Sequence, residues 1–303
     1  MRARAFAKIN RSLRVLGTRA DGYHELRTIF QSIALHDTLT IRATRGPFSL
    51  TCNDPACPID ESNLIAGAAA RMWRAAGRRG APRDVAVDLR KRIPMQAGLG
   101  GGSSDAAAAL RVFAKRWRVD VKKVRAAAVA LGADVPYFFE GGAVLGLERG
   151  DLLLPLADPA RAWVVLVLPD FGVSTRDAFG WFDEWADTQV GPHNDTQVGP
   201  RNDTHVGPYH VGADLRVRPS HELVNDLEAP VIARHPEIGR IISALRGSGA
   251  SQASMSGTGS AVFGLFSARP AAVRAANRLA SASRRTLVTR TLSRKTYQTL
   301  AAT

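Results

Sequence analysis

Apolar and polar positions alternate with a period of two in several stretches of the chain, and this pattern predicts strands. The predicted strands cover residues 3–17, 28–41, 85–90, 163–168 and 261–266. A turn at His36-Asp37 is expected to break the second strand, and the third is expected to end at Pro94. Residues 163–168 are apolar without interruption, which is typical of a strand buried on both faces.

Ala-rich and amphipathic stretches between these strands predict helices. They cover residues 63–76, 105–117, 122–131, 220–233, 237–245 and 271–283. Ser62 is a suitable N-cap for the first helix, and Gly132 is a suitable C-cap for the third. Strands and helices spread over 303 residues predict two compact units of ordinary domain size.

Residues 187–210 follow neither period. They form a tandem octapeptide with the copies DTQVGPHN, DTQVGPRN and DTHVGPYH, each of which contains Gly-Pro. We predict a flexible surface insertion here, since three short copies are too few for a solenoid. Metal binding by the Asn, Asp and His side chains is the alternative, although a coil rich in Gly and Pro does not preorganise such ligands.

Basic residues outnumber acidic ones by 41 to 27, which gives a net charge of +14. Residues 238–303 contain ten of the basic residues and no Asp or Glu. Such an excess is compatible with binding to nucleic acid or to an anionic membrane. No basic run is interleaved with aromatic residues for base stacking, so a solvated Arg-rich surface is the favoured interpretation. A basic protein also suits a polyanionic substrate such as a nucleotide.

Apolar residues make up 45% of the chain and charged residues 22%, which is typical of a globular protein. No stretch approaches the ~18–20 apolar residues of a membrane-spanning helix, and residues 1–10 do not resemble the start of a secretory signal. Cys52 and Cys57 are too few for a disulfide scaffold and have no neighbouring ligands for a zinc site. The sequence therefore predicts a protein of the reducing cytoplasm, and it leaves the oligomeric state open.

A glycine-rich loop after the strand at 85–90 is the most informative motif. Its residues are Pro94, Met95, Gln96, Ala97, Gly98, Leu99, Gly100, Gly101, Gly102, Ser103 and Ser104. The glycines let backbone N–H groups approach a ligand, and the next helix points its positive N-terminal end to the same place, so the loop predicts a phosphate site. It lacks the Gly-Lys-Ser/Thr of a Walker A motif and the pattern of a dinucleotide-binding fold. A flexible turn without a ligand is the alternative.

The stretch PMQAGLGGGSSDAAAAL at 94–110 resembles the nucleotide-binding motif of the GHMP kinases. Four further stretches resemble the isoprenoid-pathway branch of that family: AKIN and DGYHEL within 7–33, LGADVPYFFEGGAVLG at 131–146, NDLE at 225–228 and ASMSGTGSAVFGLF at 253–266. Gln96-Ala97 stands where glycine is frequent in the family. The resemblance covers nearly the whole chain outside the octapeptides.

The resemblance implies a two-domain α+β fold. A ribosomal S5 domain 2-like domain is expected over residues 1–155 and a ferredoxin-like domain over 156–303, with ATP and substrate in the cleft between them. The implied activity is phosphorylation of the 2-hydroxyl of 4-diphosphocytidyl-2-C-methyl-D-erythritol with ATP and Mg²⁺, in the non-mevalonate route to isoprenoid precursors. The implied partner is that small molecule, without nucleic acid or membrane. The alternatives are a GHMP kinase for a smaller alcohol and a basic nucleic-acid-binding protein.

Phosphoryl transfer needs positioned charges around the phosphate and a group that orients the attacking hydroxyl. Lys8 lies in an otherwise apolar strand, and Asp134 lies in a loop position where its carboxylate can enter a cleft. By resemblance, Asp134 accepts the proton of the substrate hydroxyl, while Lys8 pairs with it and offsets charge near the γ-phosphate. A purely structural salt bridge is the alternative. Asn10 projects from the same strand face as Lys8 and can bind substrate.

The resemblance also implies a cytidine site. Tyr23 is expected to stack on the cytosine and His24 to bind its edge. Phe179 is expected to cover the other face of the base, and Thr175 to contact the substrate. The alternatives are an exposed Tyr-His pair without a role and a phenylalanine that belongs to the core.

Three further assignments complete the expected site. Lys91 and Asn63 match family positions near the adenine or ribose of ATP. Ser104 is a candidate ligand for Mg²⁺. Ser256–Ser260 is a second loop of small residues, which by resemblance closes over the phosphates, and a tight hairpin is its alternative.

Overall fold

The computed structural model describes residues 1–189 and 224–302. The strands are β1 (Arg2–Thr18), β2 (His24–Pro47), β3 (Ser49–Cys52), β4 (Arg83–Arg90), β5 (Ala143–Leu147), β6 (Leu152–Pro155), β7 (Trp163–Pro169), β8 (Gln252–Met255), β9 (Val262–Phe266) and β10 (Arg284–Arg290). The helices are α1 (Leu64–Ala75), α2 (Gly101–Trp117), α3 (Val121–Leu131), α4 (Tyr137–Glu140), α5 (Thr175–Gln189), α6 (Glu228–Arg234), α7 (Pro236–Gly247), α8 (Arg269–Leu279) and α9 (Arg294–Ala301). The strands form two sheets, one in each half of the chain.

β1 and β2 form a long antiparallel ribbon at the centre of the first sheet. The predicted turn at His36-Asp37 is wrong, because both residues lie inside β2, opposite Phe6 and Ala5. The polar pair does not end the strand, since the His36 ring packs on Phe6 and the Asp37 side chain is buried with partners of its own. A shift in register between Phe6 and Lys8 marks an irregularity in the ribbon at the start of the site.

The first sheet has the order β3-β4-β2-β5-β6, with β1 beside β2. β3 and β4 run parallel, and the other pairs of this sheet run antiparallel. Helices α1 to α4 pack with the sheet around one apolar core. Within α2 the four consecutive alanines at 106–109 are all buried, so this helix lies close to its neighbours and is held firmly behind the glycine-rich loop.

Several predicted helix ends in this half differ from the structure. Asn63, not Ser62, is the N-cap of α1, and its Oδ1 accepts from the Ile65 N–H at 2.9 Å. α2 begins at Gly101 rather than at residue 105, so the end of the glycine-rich loop forms its first turn. Gly132 does follow α3, but its φ of 161° is extended backbone rather than a left-handed cap.

The second sheet is antiparallel, with the order β10-β7-β9-β8. β7 is buried on both faces, as its uninterrupted apolar run predicts. Val165 and Val167 pack toward α6, α7 and α8, whereas Val164 and Leu166 belong to a core shared with β1 of the first domain. The two domains are therefore joined by an apolar interface, and the site lies beside it.

The second half contains the larger errors of the sequence predictions. Within the described residues, the helix predicted at 220–233 begins only at Glu228, because Asn225 pairs with β1 at Leu13. The helix predicted at 271–283 ends at Leu279, and β10 and α9 were not predicted at all. The predicted octapeptide insertion lies outside the described residues, apart from its first three residues, which continue α5.

Within residues 1–189 and 224–302, the chain passes between the domains at two neighbouring positions. One crossing leads from β6 to β7, and the other leads from β10 to α9. They are bonded to each other, since the Thr291 N–H donates to Ala162 O at 2.9 Å and the Ala162 N–H donates to Thr291 Oγ1 at 3.0 Å. α9 then packs on β1, so the last helix lies with the first domain, and the boundary at residue 155 stays a prediction. In the part of the chain described here, no helix is long and apolar enough to cross a membrane.

Candidate active site

A cleft of about 1270 Å³ lies between the domains, bordered by both loops of small residues. It brings together most of the site residues predicted from the sequence. Those that line it are Lys8, Asn10, Tyr23, His24, Lys91, Pro94, Met95, Gln96, Ala97, Gly98, Leu99, Gly100, Gly101, Gly102, Ser103, Asp134, Thr175 and Phe179. Two predicted residues, Ser104 and Asn63, do not line it.

The Lys8 ammonium is buried and has three oxygen neighbours. Its Nζ donates to Asn10 Oδ1 at 2.5 Å and to Gly98 O at 3.0 Å, and it lies 3.4 Å from Asp134 Oδ2. The Lys8 side chain is 5% exposed, whereas that of Asp134 is 33% exposed. The predicted pair is thus present, and its carboxylate stays partly open to the cleft. Such a carboxylate can accept a proton from a hydroxyl, while the cation beside it offsets negative charge on a nearby phosphate.

Asn10 uses both ends of its side chain to hold this arrangement. Its Oδ1 accepts from Lys8, and its Nδ2 donates to Thr28 Oγ1 at 2.7 Å. Thr28 in turn donates to Ser12 O at 2.8 Å. Asn10 therefore orients Lys8 in this conformation, and its direct contact with substrate stays a prediction.

The first glycine loop (Pro94–Ser104) is shaped by left-handed backbone. Gly98 and Gly100 both have a φ of 69°. A Cβ on Gly98 would lie 1.9 Å from Ser256 O, and one on Gly100 would lie 2.8 Å from the Phe138 ring, so only glycine fits at either position. Gln96, where the family frequently has glycine, also has a positive φ, of 51°. The backbone at residue 96 is therefore left-handed, although glutamine does not favour that conformation as glycine does.

Gly100 is the N-cap of α2, and the first turn of the helix faces the cleft. The first N–H groups of a helix have no acceptor within it and carry the positive end of its dipole. A phosphate group in the cleft would therefore meet backbone donors from Gly101 to Ser103. This geometry supports the phosphate site that the loop predicts.

Two predicted ligand residues are engaged elsewhere. Ser104 is 1% exposed and donates to Phe6 O at 2.7 Å, which holds α2 against β1. Its hydroxyl is not placed to bind Mg²⁺ in the cleft, whereas Ser103 lines the cleft. Asn63 caps α1 and donates through Nδ2 to Pro58 O at 2.7 Å, so its predicted contact with ATP is not supported by this geometry.

Lys91 reaches the cleft wall but is bound by two carboxylates. Its Nζ lies 2.5 Å from Asp37 Oδ2 and 2.9 Å from Asp105 Oδ2. Burial acts to lower the pKa of Lys91, but the two carboxylates outweigh it and the pKa is raised. Burial raises the pKa of Asp105 to about 8, and the nearby Asp37 charge adds to this. Asp37 also accepts from the N–H groups at 92 and 93, so this buried cluster fixes the backbone that enters the first glycine loop.

Three rings of the predicted cytidine site lie together. Tyr23 is 57% exposed, and the Arg149 guanidinium lies 5.2 Å from the centre of its ring. His24 stacks on Phe179 of α5 with 4.6 Å between ring centres and 19° between planes, and its Nε2 lies 2.8 Å from Asp183 Oδ1. Because one face of Phe179 is covered by His24, the base sandwich between Tyr23 and Phe179 stays a prediction.

The second glycine loop (Ser256–Ser260) contacts the first. Ser256 Oγ donates to Gly98 O at 2.9 Å, and the Ala261 N–H, just beyond the loop, donates to Ala97 O at 3.3 Å. Gly257 and Thr258 line the cleft. The second loop therefore lies against the phosphate site, where its predicted role is to close over the phosphates.

The two aspartates that bind Lys91 were not identified from the sequence. Nor were the charged residues beside Tyr23 and His24. Asp37 was interpreted as part of a turn, although a lone carboxylate in an apolar strand is itself a signal of a buried ion pair. Asp105 lies inside the glycine-rich motif, yet no residue pattern links it to Lys91 fourteen positions earlier. Arg149 and Asp183 lie in the cleft only through the fold.

Models of the GHMP kinase family match both halves of the chain. The GHMP kinases N terminal domain matches residues 63–142, and the GHMP kinases C terminal domain matches residues 217–284. GHMP kinases use ATP as the phosphate donor. The predicted two-domain α+β fold of a GHMP kinase is thereby confirmed.

Relatives that span nearly the whole chain indicate which branch of the GHMP kinases it belongs to. A 4-diphosphocytidyl-2-C-methyl-D-erythritol kinase of Moorella thermoacetica is 39% identical over 291 residues, which cover 95% of this chain and 98% of that protein. One of Solibacter usitatus is 41% identical over 305 residues, which cover 98% and 90%. A crystal structure of 4-(cytidine 5'-diphospho)-2C-methyl-D-erythritol kinase matches with a TM-score of 0.74 and 34% identity, over 96% of this chain and 99% of the other. The chain belongs to the 4-diphosphocytidyl-2-C-methyl-D-erythritol kinase family of the GHMP phosphotransferases.

Proposed function

We propose that this chain transfers the γ-phosphate of ATP to the 2-hydroxyl of 4-diphosphocytidyl-2-C-methyl-D-erythritol. The observation that carries the proposal is the Lys8–Asp134 pair, 3.4 Å apart beside the first glycine loop and in the same cleft as Tyr23 and His24. One cavity thus holds groups suited to phosphoryl transfer and groups suited to a nucleobase.

In the proposed reaction the substrate oxygen attacks the γ-phosphorus, the bond to the β-phosphate oxygen breaks and ADP leaves. Asp134 accepts the proton of the attacking hydroxyl. Lys8 offsets the charge that develops on the transferred phosphoryl group, and the N-terminal N–H groups of α2 bind phosphate oxygens. All of these are effects of position and charge, which is what phosphoryl transfer requires from a protein.

Mg²⁺ fits this cleft if its ligands come mainly from the phosphates of ATP and from water rather than from a cluster of protein side chains. Among the residues that the structure describes, no group of three or more His, Cys, Asp or Glu side chains could hold a metal ion. Mg²⁺ usually keeps several waters and binds substrate phosphates with one or two protein oxygens. Ser103 supplies such an oxygen at the cleft, and Mg²⁺ would neutralise charge on the phosphates there.

Cytidine recognition is assigned to Tyr23, whose exposed ring can stack on a base. Stacking of this kind is worth about 1–3 kcal/mol per base. Tyr23→Ala should therefore raise the KM for the cytidyl substrate by roughly tenfold to a hundredfold, with little change in the KM for ATP. Tyr23→Phe keeps the ring and is the matched control. An equal rise in both KM values with Tyr23→Ala would count against a specific cytidine contact.

The deciding experiment is a coupled assay for ADP release with ATP, Mg²⁺ and one alcohol at a time. We expect saturable turnover with 4-diphosphocytidyl-2-C-methyl-D-erythritol and none with mevalonate or homoserine. Phosphorus NMR of the product should then show one new phosphate monoester on the 2-oxygen. Turnover of mevalonate or homoserine without turnover of the cytidyl substrate would overturn the proposal.

The proposal also covers the cellular compartment and the role of the basic surface. We expect the chain to act on a small molecule in the cytoplasm without a nucleic-acid partner. Both cysteines are free thiols, which supports a reducing compartment. Tight binding of duplex DNA or RNA that weakens steeply with added salt would contradict the absence of a nucleic-acid partner.

A further inference from the structure

Asn225 is a buried residue that the proposed transfer chemistry does not use. The residue is 4% exposed and lies between β1 and the second glycine loop. The amide Nδ2 donates to Met255 O at 2.9 Å and to Gly257 O at 2.7 Å, while Oδ1 accepts from the Leu227 N–H at 3.1 Å. One amide group therefore holds the backbone on both sides of Ser256.

Ser256 connects the second glycine loop to the first domain by hydrogen bonds. Its hydroxyl donates to Gly98 O at 2.9 Å and accepts from the Asn10 N–H at 3.2 Å. The residue is fully buried. A single hydroxyl of the second glycine loop thus touches both the first glycine loop and β1.

The two groups that Ser256 touches belong to the residues that orient Lys8. Lys8 Nζ donates to Gly98 O, the same oxygen that accepts from Ser256. It also donates to the side chain of Asn10, whose backbone N–H is bonded to Ser256. A displacement of Ser256 would therefore shift both hydrogen-bond partners of Lys8 and so the distance from Lys8 to Asp134.

We propose that Asn225 is a positioning residue for phosphoryl transfer, which acts through the second glycine loop on the placement of Lys8. This inference rests on the proposed function, because the transfer reaction is what requires Lys8 beside Asp134. Asn225 touches neither the cleft nor a reacting atom, so its effect is on geometry alone. A misplacement of about 1 Å in an active site can lower a rate by about a hundredfold.

The matched pair Asn225→Asp and Asp226→Asn tests the assignment. Asn225→Asp keeps the acceptor for the Leu227 N–H but sets an oxygen against the carbonyls at 255 and 257. Asp226→Asn makes the reverse exchange of atoms at the neighbouring residue, and Asp226 binds the Val15 N–H and Arg14 rather than the loop. We expect kcat to fall between about tenfold and a hundredfold with Asn225→Asp. We expect the KM for both substrates to stay within about threefold, and Asp226→Asn to keep kcat within about twofold.

Ser256→Ala gives a second route to the same answer if Asn225→Asp does not fold. It should lower kcat in the same range, and the double variant should lose less than the product of the two single losses, because both act on Gly98 and Asn10. A kcat within twofold of wild type in either single variant would overturn the proposal. An equal fall in Asp226→Asn would also overturn it, since that result would indicate general destabilisation.

Residue-resolved amide hydrogen exchange tests the inference without any substrate. The Asn10 N–H should exchange at least about tenfold faster in Asn225→Asp and Ser256→Ala than in wild type, and at the wild-type rate in Asp226→Asn. Unchanged exchange at Asn10 in both loop variants would overturn the inference. If wild-type protein does not turn over the cytidyl substrate, the proposed function fails, and this exchange comparison still decides whether Asn225 acts on β1.

Discussion

Lys8 and Lys91 both border the cleft and both pair with aspartate, yet their surroundings differ. Lys8 lies 3.4 Å from a single carboxylate, that of Asp134, which is 33% exposed. Lys91 lies 2.5 Å and 2.9 Å from two carboxylates, those of Asp37 and Asp105, which are 0% and 4% exposed. The first pair leaves a carboxylate oxygen open to a ligand, whereas the charged side chains of the second are each at most 5% exposed.

This difference separates an ion pair suited to chemistry from one suited to structure. A group that moves a proton must reach its substrate, so a loose and partly exposed carboxylate is what transfer requires. A fully buried cluster has no such access, and it remains stable only while its charges stay balanced. Both kinds of pair occur within one cleft, so proximity to the site does not by itself make a charged residue catalytic.

The largest expected effect is on stability. Lys91→Met removes the cation and leaves Asp37 and Asp105 facing each other in the core, which should cost about 3–5 kcal/mol of unfolding free energy. Urea denaturation followed by circular dichroism measures this. Asp134→Asn is the control and should cost less than about 1 kcal/mol, because Asp134 is itself partly exposed and Lys8 keeps its hydrogen bonds to Asn10 and Gly98. Equal losses in the two variants would remove the contrast between the pairs.

The next effect is on turnover. Asp134→Asn keeps the shape of the side chain and removes the proton acceptor, so turnover should fall by at least about a hundredfold while the affinity for ATP stays nearly unchanged. Turnover per folded molecule and the melting temperature are measured together. Near-wild-type turnover with a lowered melting temperature would show that the Lys8–Asp134 pair is only a structural salt bridge.

A smaller effect distinguishes the shape of the cation from its charge. Lys8→Ala should lower turnover, and its combination with Asp134→Asn should be less than multiplicative, because both residues act on one transition state. Lys8→Arg should remain at least about tenfold below wild type, since a planar guanidinium does not replace a compact ammonium between Asn10 and Gly98. Full activity of Lys8→Arg would show that charge alone is sufficient.

The last effect concerns the pH dependence of stability. The pKa of Asp105 is about 8 in the fold, against about 3.9 in an unfolded chain. Between these values the folded state keeps a proton that the unfolded state has lost, so stability falls as pH rises from about 4 to 8 and then levels off. Asp105→Asn removes this dependence, so its stability relative to wild type should rise by more than about 1 kcal/mol between pH 4 and pH 9. Calorimetry at both pH values checks this, and parallel curves for the two proteins would contradict it.

The contrast between the Lys8 pair and the Lys91 cluster also shows which parts of the site could be predicted from the sequence. The first glycine loop, Lys8 and Asp134 lie in stretches with a distinctive local pattern, and the structure brings them together as expected. The Lys91 cluster joins positions 37, 91 and 105 through tertiary packing, and no local pattern encodes such a contact. Ser104 was predicted as a Mg²⁺ ligand because it is the last residue of the glycine-rich loop. Its hydroxyl faces β1 instead, since α2 begins at Gly101 and the serine falls within the helix.

The return of α9 to the first domain has a consequence for the order in which the protein can be completed during synthesis. Phe6 of β1 is covered by Leu292 and Tyr297, with Tyr297 5.6 Å from it between ring centres. Tyr297 also donates to Phe138 O at 2.6 Å. A ribosome makes β1 before α9, so Phe6 lacks its contacts with Leu292 and Tyr297 until α9 has emerged. The N-terminal domain therefore cannot reach its final packing as an independent unit ahead of the rest of the chain.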